Sequence, residues 1–222
     1  MENVRTTEGE ITTPEAGTAH NDLYREQELK YITFTGVPVR AGTQGYEDYH
    51  GKLIHWHVQG NWFDQDVTNS NKKAFWNSPA FHFDALKNEL ESYETSTEIA
   101  HHPFTANKRS KAKLQFKVLQ PQGRPRLTAL VVHNLILEFN LHLYNYNNRY
   151  SGCQCWSRTL LRKLAERGYI AADAVNQFQG VVTELKGRKG KGGKNSWIVP
   201  DDDGTFFRKE GNAFVIVPMD QV

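Results

Sequence analysis

From Cys153 to Arg167 the chain sets Trp156, Leu160, Leu161 and Leu164 at three- and four-residue steps. Arg158, Arg162, Lys163, Glu166 and Arg167 take the other positions, and Gly168 follows directly. Such spacing gathers the apolar side chains into one stripe of a helix, and glycine closes helices because it enters the left-handed region without steric cost. A helix here needs a layer to lie on, and that layer is legible upstream. LKYITFTG at 29–36 and KLIHWHVQ at 52–59 have the β-branched and aromatic content of neighbouring strands. PAFHFDAL at 79–86 alternates Phe81 and Phe83 with His82 and Asp84, the period-two pattern of a half-buried strand. LQFKVL at 114–119 is a further strand, stopped by the breaker at 120–126. A second helix is expected over 127–143 (Leu127, Leu130, Val131, Leu135, Phe139) and a third over 171–185 (Val175, Phe178, Val182, Leu185). SWIV at 196–199 and AFVIV at 213–217 read as closing strands. The expected class is α+β, with a mostly antiparallel sheet and the cysteine-bearing helix packed on it.

A chain of 222 residues with 38% hydrophobic content is long and apolar enough to bury one core. Nothing in it approaches the roughly 18 consecutive apolar residues of a membrane span, and the N-terminal residues lack the apolar run of a signal peptide. Its two cysteines, Cys153 and Cys155, are too close in sequence for good disulfide geometry between them. The expectation is a cytoplasmic protein with no membrane association.

The net charge of +2 conceals a strong segregation. Residues 1–28 hold seven acids against Arg5 and Arg25 and few large apolar groups, which predicts a disordered acidic tail ahead of one α+β domain over 29–222. Between Ala106 and Arg126 stand Lys108, Arg109, Lys111, Lys113, Lys117, Arg124 and Arg126 with no acid. KGRKGKGGK at 186–194 adds Lys186, Arg188, Lys189, Lys191 and Lys194. Two such segments are expected to form one surface for a polyanion such as RNA.

The chemistry-bearing candidate is Cys153, which follows Ser151-Gly152 at the predicted helix start. Backbone N–H groups at a helix N-terminus stabilise a thiolate, and the same groups can hold a developing oxyanion. Cys155, two residues on, turns about 200° away and is expected in the core. For a base, His55 and His57 share one face of the second strand, with His82 or Asp84 on the next strand as an orienting third group. Trp56, His57, Tyr146 and Tyr150 are the expected substrate contacts.

At LIHWHVQGNWF around His55 and YSGCQCWSRTLLRKLAERGYI around Cys153 the chain resembles the circularly permuted papain-like thiol families, such as the lecithin:retinol acyltransferase-like and NlpC/P60-type proteins. In permuted members a strand histidine comes first and a cysteine later, at a helix start. Many have Asn before the cysteine, where this chain has Gly152. The histidine-tryptophan pair, and the tryptophan three residues after the cysteine, look most like uncharacterised fungal families of this type. The chain is also similar to fungal arginine-containing cyclodipeptide synthases, which use aminoacyl-tRNA. These resemblances imply a permuted papain-like fold and acyl or aminoacyl transfer through a Cys153 thioester, with His55 as base. They further imply aminoacyl-tRNA and a small-molecule acyl acceptor as partners, and no cofactor.

Plainer readings stand beside these: a buried cysteine at a helix start, a hydrogen-bonded sheet histidine, solvated lysine loops. A thiol hydrolase, and a non-catalytic RNA-binding protein on the same fold, are the alternatives to transfer. A zinc site from His55, His57, Cys153 and Cys155 is disfavoured because a helical C-x-C splits its sulfurs. The chain has no Walker loop, G-x-G-x-x-G or H-E-x-x-H, which argues against nucleotide hydrolysis and dinucleotide redox chemistry.

Overall fold

The computed structural model describes residues 26–39, 52–62, 79–86, 96–103, 110–146, 152–194, 196–199, 204–211, 213–219 and 221–222, with 79–86 and 96–103 described by their backbone pairing. The acidic segment 1–25 lies outside the described residues.

Five strands form the larger sheet: β1 (Tyr31–Pro38), β2 (Ile54–Asn61), β3 (Pro79–Leu86), β4 (Ser96–Pro103) and β5 (Ala112–Lys117), in the order β4-β3-β2-β1-β5. Every pairing is antiparallel. β1 and β2 pair without a break from Tyr31 opposite Asn61 to Pro38 opposite Ile54, so facing residues share a side of the sheet along the whole ladder. Helices α1 (Ala129–Glu138), α2 (Cys153–Glu166) and α3 (Ala174–Gly187) follow. A smaller sheet is built from β6 (Tyr144–Asn145), β7 (Thr205–Glu210) and β8 (Ala213–Val217) in the order β6-β7-β8. The class is thus α+β with antiparallel sheets.

The sequence pattern explains most boundaries. Thr128 caps α1, its hydroxyl accepting from the Val131 amide at 3.2 Å, and Asn140 takes a positive φ of 54° just past the helix. The expected helix over 127–143 is therefore shortened at both ends. α2 closes in a Schellman turn. Gly168, at φ 76°, donates to the Ala165 carbonyl at 2.9 Å, and the Tyr169 amide reaches back to Leu164 at 2.9 Å. β5 ends at Lys117; the Val118 amide still donates to the Lys30 carbonyl next to Tyr31, and Leu119 turns away to the Tyr169 carbonyl. The SWIV segment is not a strand; it makes one parallel bridge, Ile198 to Leu53.

One hydrophobic cluster runs through the molecule, from Ile32, Phe34, Trp56 and Val58 on the large sheet through Phe178, Leu160 and Leu164 to Phe206 of the small one. Phe178 of α3 seats between Phe34 and Trp56, ring centroids 5.6 and 4.7 Å away. α2 touches both β2 and α3, and α3 lies on the face that carries Trp56. A Cβ on Gly36, opposite Trp56, would come 3.1 Å from Ile54 Cγ2, which shows how tightly that face is packed.

Candidate functional site

Cys153 is the first residue of α2, and its position is set from three directions. Gly152, the N-cap, has φ 139° and ψ −21° and offers no capping side chain to the first-turn amides. The Tyr144 hydroxyl donates to the Gly152 carbonyl at 2.8 Å and accepts from the Gly204 amide at 3.0 Å, tying the helix start to the small sheet. Below it the Trp156 indole donates to the Leu141 carbonyl at 2.9 Å, and Lys163 and Arg167 stand over the Phe139 ring at 4.7 and 4.9 Å. The turn after α1 thus fixes the rotation of α2.

Gly152 is required where it stands. Besides its positive φ, a Cβ there would lie 2.6 Å from the Tyr144 hydroxyl and 3.1 Å from Tyr146 Cδ1. The Asn found before the cysteine in many permuted papain-like proteins would therefore strain this chain. Burial pushes the Tyr144 phenol well above its usual range, with the nearby Cys155 thiol, Tyr146 and Cys153 acting in the same direction against the Gly204 amide. Tyr144 therefore serves as a protonated donor at neutral pH.

Tyr146 packs edge-on to Tyr144 at 5.3 Å, so the expected substrate contact Tyr146 stands beside the Cys153 helix start. Tyr150 lies outside the described residues. Cys155 is in the core as expected, 1% exposed, with its sulfur 3.8 Å from Met219 Sδ, whereas Cys153 retains 8% exposure.

Of the β2 candidates, Trp56 is 2% exposed and packs against Phe178, so its ring belongs to the core. Strand alternation then directs its neighbours His55 and His57 to the opposite face, away from Phe178 of α3. Their rings meet edge to face at 4.5 Å. His55 is thus on the sheet face opposite Trp56, and Cys153 stands at the start of the helix that touches β2. Trp56, the large apolar residue between the two histidines, is the sequence signal for the face that α3 covers.

The polar face continues across the sheet. Thr35 stands opposite His57, and Thr33 opposite Gln59. The third expected group, His82, is opposite Gln59 on the other side. Thr33, Thr35, Gln59 and Asn61 are 0–2% exposed, and the Thr33 hydroxyl donates to Asn61 Oδ1 at 2.9 Å. Sequence reasoning named none of these four. Among the described residues no group of three or more His, Cys, Asp or Glu is gathered that could hold a metal ion.

The two basic segments do meet. Arg188, past the end of α3, donates from Nη1 to the Lys111 carbonyl at 2.9 Å and pairs with Glu184. Lys111 Nζ stands 4.9 Å over the Trp197 ring. Beyond Arg188 the chain folds back on itself, Gly190 donating to Lys194 and Ser196 to Arg188, with a 3-10 turn at Lys191–Gly193 between them. Lys113 and Lys189 are exposed beside this junction. Lys108 and Arg109 lie outside the described residues. No helix of the described residues is long and apolar enough to cross a membrane.

Residues 77–207 match a family model, and the chain belongs to that family, described as a domain of unknown function (DUF7770). The matched span contains α2, Gly152 and Tyr144 and excludes β1 and β2. No curated protein and no solved structure matches the chain.

Proposed function

We propose that the chain is a thiol-dependent acyl or aminoacyl transferase in which Cys153 carries the acyl group as a thioester. The observation that supports this is the position of Cys153, first in a helix whose cap contributes no side chain and whose start is held by the Tyr144 hydroxyl. The Cys153 thiolate attacks the carbonyl of an activated ester. The C–S bond forms as the C–O bond breaks, and first-turn amides stabilise the oxyanion. An acceptor amine then attacks the thioester, the C–N bond forms, and the thiolate leaves. The low exposure of Cys153 disfavours water as the competing acceptor, so transfer is preferred to hydrolysis. Tyr146, beside the helix start, supplies an aromatic wall for the acyl side chain. His55 of β2 is the proposed base: it takes the proton that the attacking amine gives up and returns one to the departing oxygen, while the helix N-terminus favours the thiolate.

The junction of Arg188 with Lys111 favours a polyanionic carrier for the acyl group, for which aminoacyl-tRNA is the proposed donor. It equally favours a second reading, a non-catalytic RNA-binding protein. Incubation with aminoacyl-tRNA and amino acids, followed by mass spectrometry of the intact protein and of small products, tests the first reading. A mass increase on the wild type that is absent from Cys153→Ala is the expected result. An unmodified wild type that still binds tRNA would leave the second reading standing.

A further inference from the structure

The charges of the smaller sheet lie on its central strand and not on its edge. β7, between β6 and β8, presents Arg208, Lys209 and Glu210 to solvent, while the edge strand β8 is AFVIV, without one charged or polar side chain. Among the described residues β8 pairs only with β7, yet Val215 is 38% and Ile216 64% exposed. The larger sheet follows the usual rule, in which lysine, other charges and proline keep an open edge from pairing. Its edge β5 exposes Lys113 and Lys117, and its edge β4 contains Glu98 and ends in Pro103. A short run apolar on both faces has the composition of a strand from the middle of a sheet.

We propose that β8 is the interface of a homodimer, in which β8 of one copy pairs antiparallel with β8 of a second copy about a two-fold axis at Val215. The chemistry of the edge selects its own copy. In that register Ala213 meets Val217 of the second copy and Phe214 meets its Ile216, so each apolar residue has an apolar partner and the aromatic ring falls against a β-branched side chain. The backbone agrees. The turn at Gly211 joins Glu210 to Ala213, the hydrogen-bonded pair that closes such a hairpin, and alternation along the ladder turns the N–H and C=O groups of Phe214 and Ile216 to the free edge. These two residues exchange hydrogen bonds with the second copy, and Val215 faces Val215 as a non-hydrogen-bonded pair. Pro218, which has no N–H, ends the strand on one side as the turn does on the other, so this register uses the whole edge. No like charges are brought together: each Arg208 is paired with its own Glu210, and the two Arg208 positions lie three strand spacings apart, about 14 Å. The small sheet then runs on from one copy into the other, and this interface does not depend on the thiol chemistry proposed above.

The test uses the full chain. Sedimentation velocity across about 1–200 µM should show a reversible monomer–dimer equilibrium, because a ladder this short buries less than a standard interface. Ile216→Lys and Val215→Lys, which place a charge at an exposed edge position, should move dissociation to about tenfold higher concentration or beyond, while Leu119→Lys, at an exposed apolar residue elsewhere, should not. Val215→Cys should close a disulfide between copies under mild oxidation, since facing residues of a non-hydrogen-bonded pair stand about 4.5 Å apart at Cα, whereas Ile216→Cys, opposite Phe214, should not. A wild type that stays monomeric throughout would overturn the proposal and leave the edge to a strand of another protein. So would a dimer that survives both lysine substitutions, or a Val215→Cys variant that cross-links no faster than Ile216→Cys. Should a lysine variant fail to fold, the wild-type equilibrium and the two cysteine variants decide the question.

Discussion

Around Thr33–Thr35 and Gln59–Asn61 the larger sheet is buried on both faces, by opposite chemistry. On one, Ile32, Phe34, Trp56, Val58 and Phe116 meet α3 and the interior, and burial there is its own driving force. On the other, Thr33, Thr35, Gln59 and Asn61 are equally shielded, although each polar group taken from water costs free energy unless it is paired. A chain selected only for stability would place apolar residues in those positions. The polar face therefore owes its composition to something other than the hydrophobic effect, while the apolar face is the one that α3 covers.

The largest effect should come from the apolar face. Phe178→Ala removes the ring shared by Phe34 and Trp56 and should cost about 3–5 kcal/mol in denaturant unfolding. A loss under about 1 kcal/mol would mean that α3 does not anchor that face, and the contrast between the two faces would weaken with it. Next is Gly152→Asn at the start of α2, where the positive φ and the contact with the Tyr144 hydroxyl should together cost about 1–3 kcal/mol. A melting temperature unchanged from wild type would show that the helix start is free to move. Tyr144→Phe strips the Gly152 carbonyl and the Gly204 amide of their shared partner and should cost about 1–3 kcal/mol.

Tyr144 also sharpens the comparison through pH. Its folded pKa is raised, so above about pH 10 the unfolded chain releases its proton while the folded one retains it. Fewer protons bound in the unfolded state means that stability falls as pH rises through that window and is unaffected below it. Tyr144→Phe should flatten this alkaline limb in part, since Tyr169, also raised chiefly by burial, keeps the remainder. An alkaline limb identical in wild type and variant would show that Tyr144 ionises freely.

The same contrast explains what the sequence could disclose. The helix at 153–166 and the strand at 79–86 were legible because each carries one period along its length and, in the helix, a glycine stop. β4 (STEIAHHP) and β7 (TFFRKE) were missed because their charged and small residues give no alternation of their own; pairing with β3, β6 and β8 makes them strands. At the site, Cys153 at a helix start was legible locally, and so was the shared face of His55 and His57. Which side of the sheet those histidines take relative to α3 is a tertiary fact, decided by the burial of Trp56 against Phe178. Tyr144 as the tie between Gly152 and Gly204 joins residues 60 positions apart, and nothing in the local pattern signals it.

On the polar face, Thr33→Val should cost about 0.5–1.5 kcal/mol, less than any change above, because it removes one hydrogen bond and leaves Asn61 Oδ1 without that donor. Stabilisation by this substitution would show that the face tolerates apolar groups, and the contrast between the two faces would lose its force.

The smallest effect on stability should come from the basic junction at the edge strand β5. Arg188 is 42% exposed in its side chain and pairs with a Glu184 that is more exposed still, so Arg188→Ala should change unfolding free energy by no more than about 0.5 kcal/mol. Its effect belongs instead to binding. If Arg188, Lys111 and Lys113 meet phosphates, removing one contact should lower the slope of log affinity against log salt by about 0.7–0.9, with the smaller value for single strands. Lys113→Ala should do the same without touching the Arg188 hydrogen bond to Lys111, which separates lost phosphate contact from a disturbed loop. Filter binding of tRNA across a salt series reads both. A parallel shift of the line at unchanged slope in Lys113→Ala would mean that this lysine faces no phosphate, and the polyanion surface would then have to lie elsewhere than at the meeting of β5 and the segment after α3.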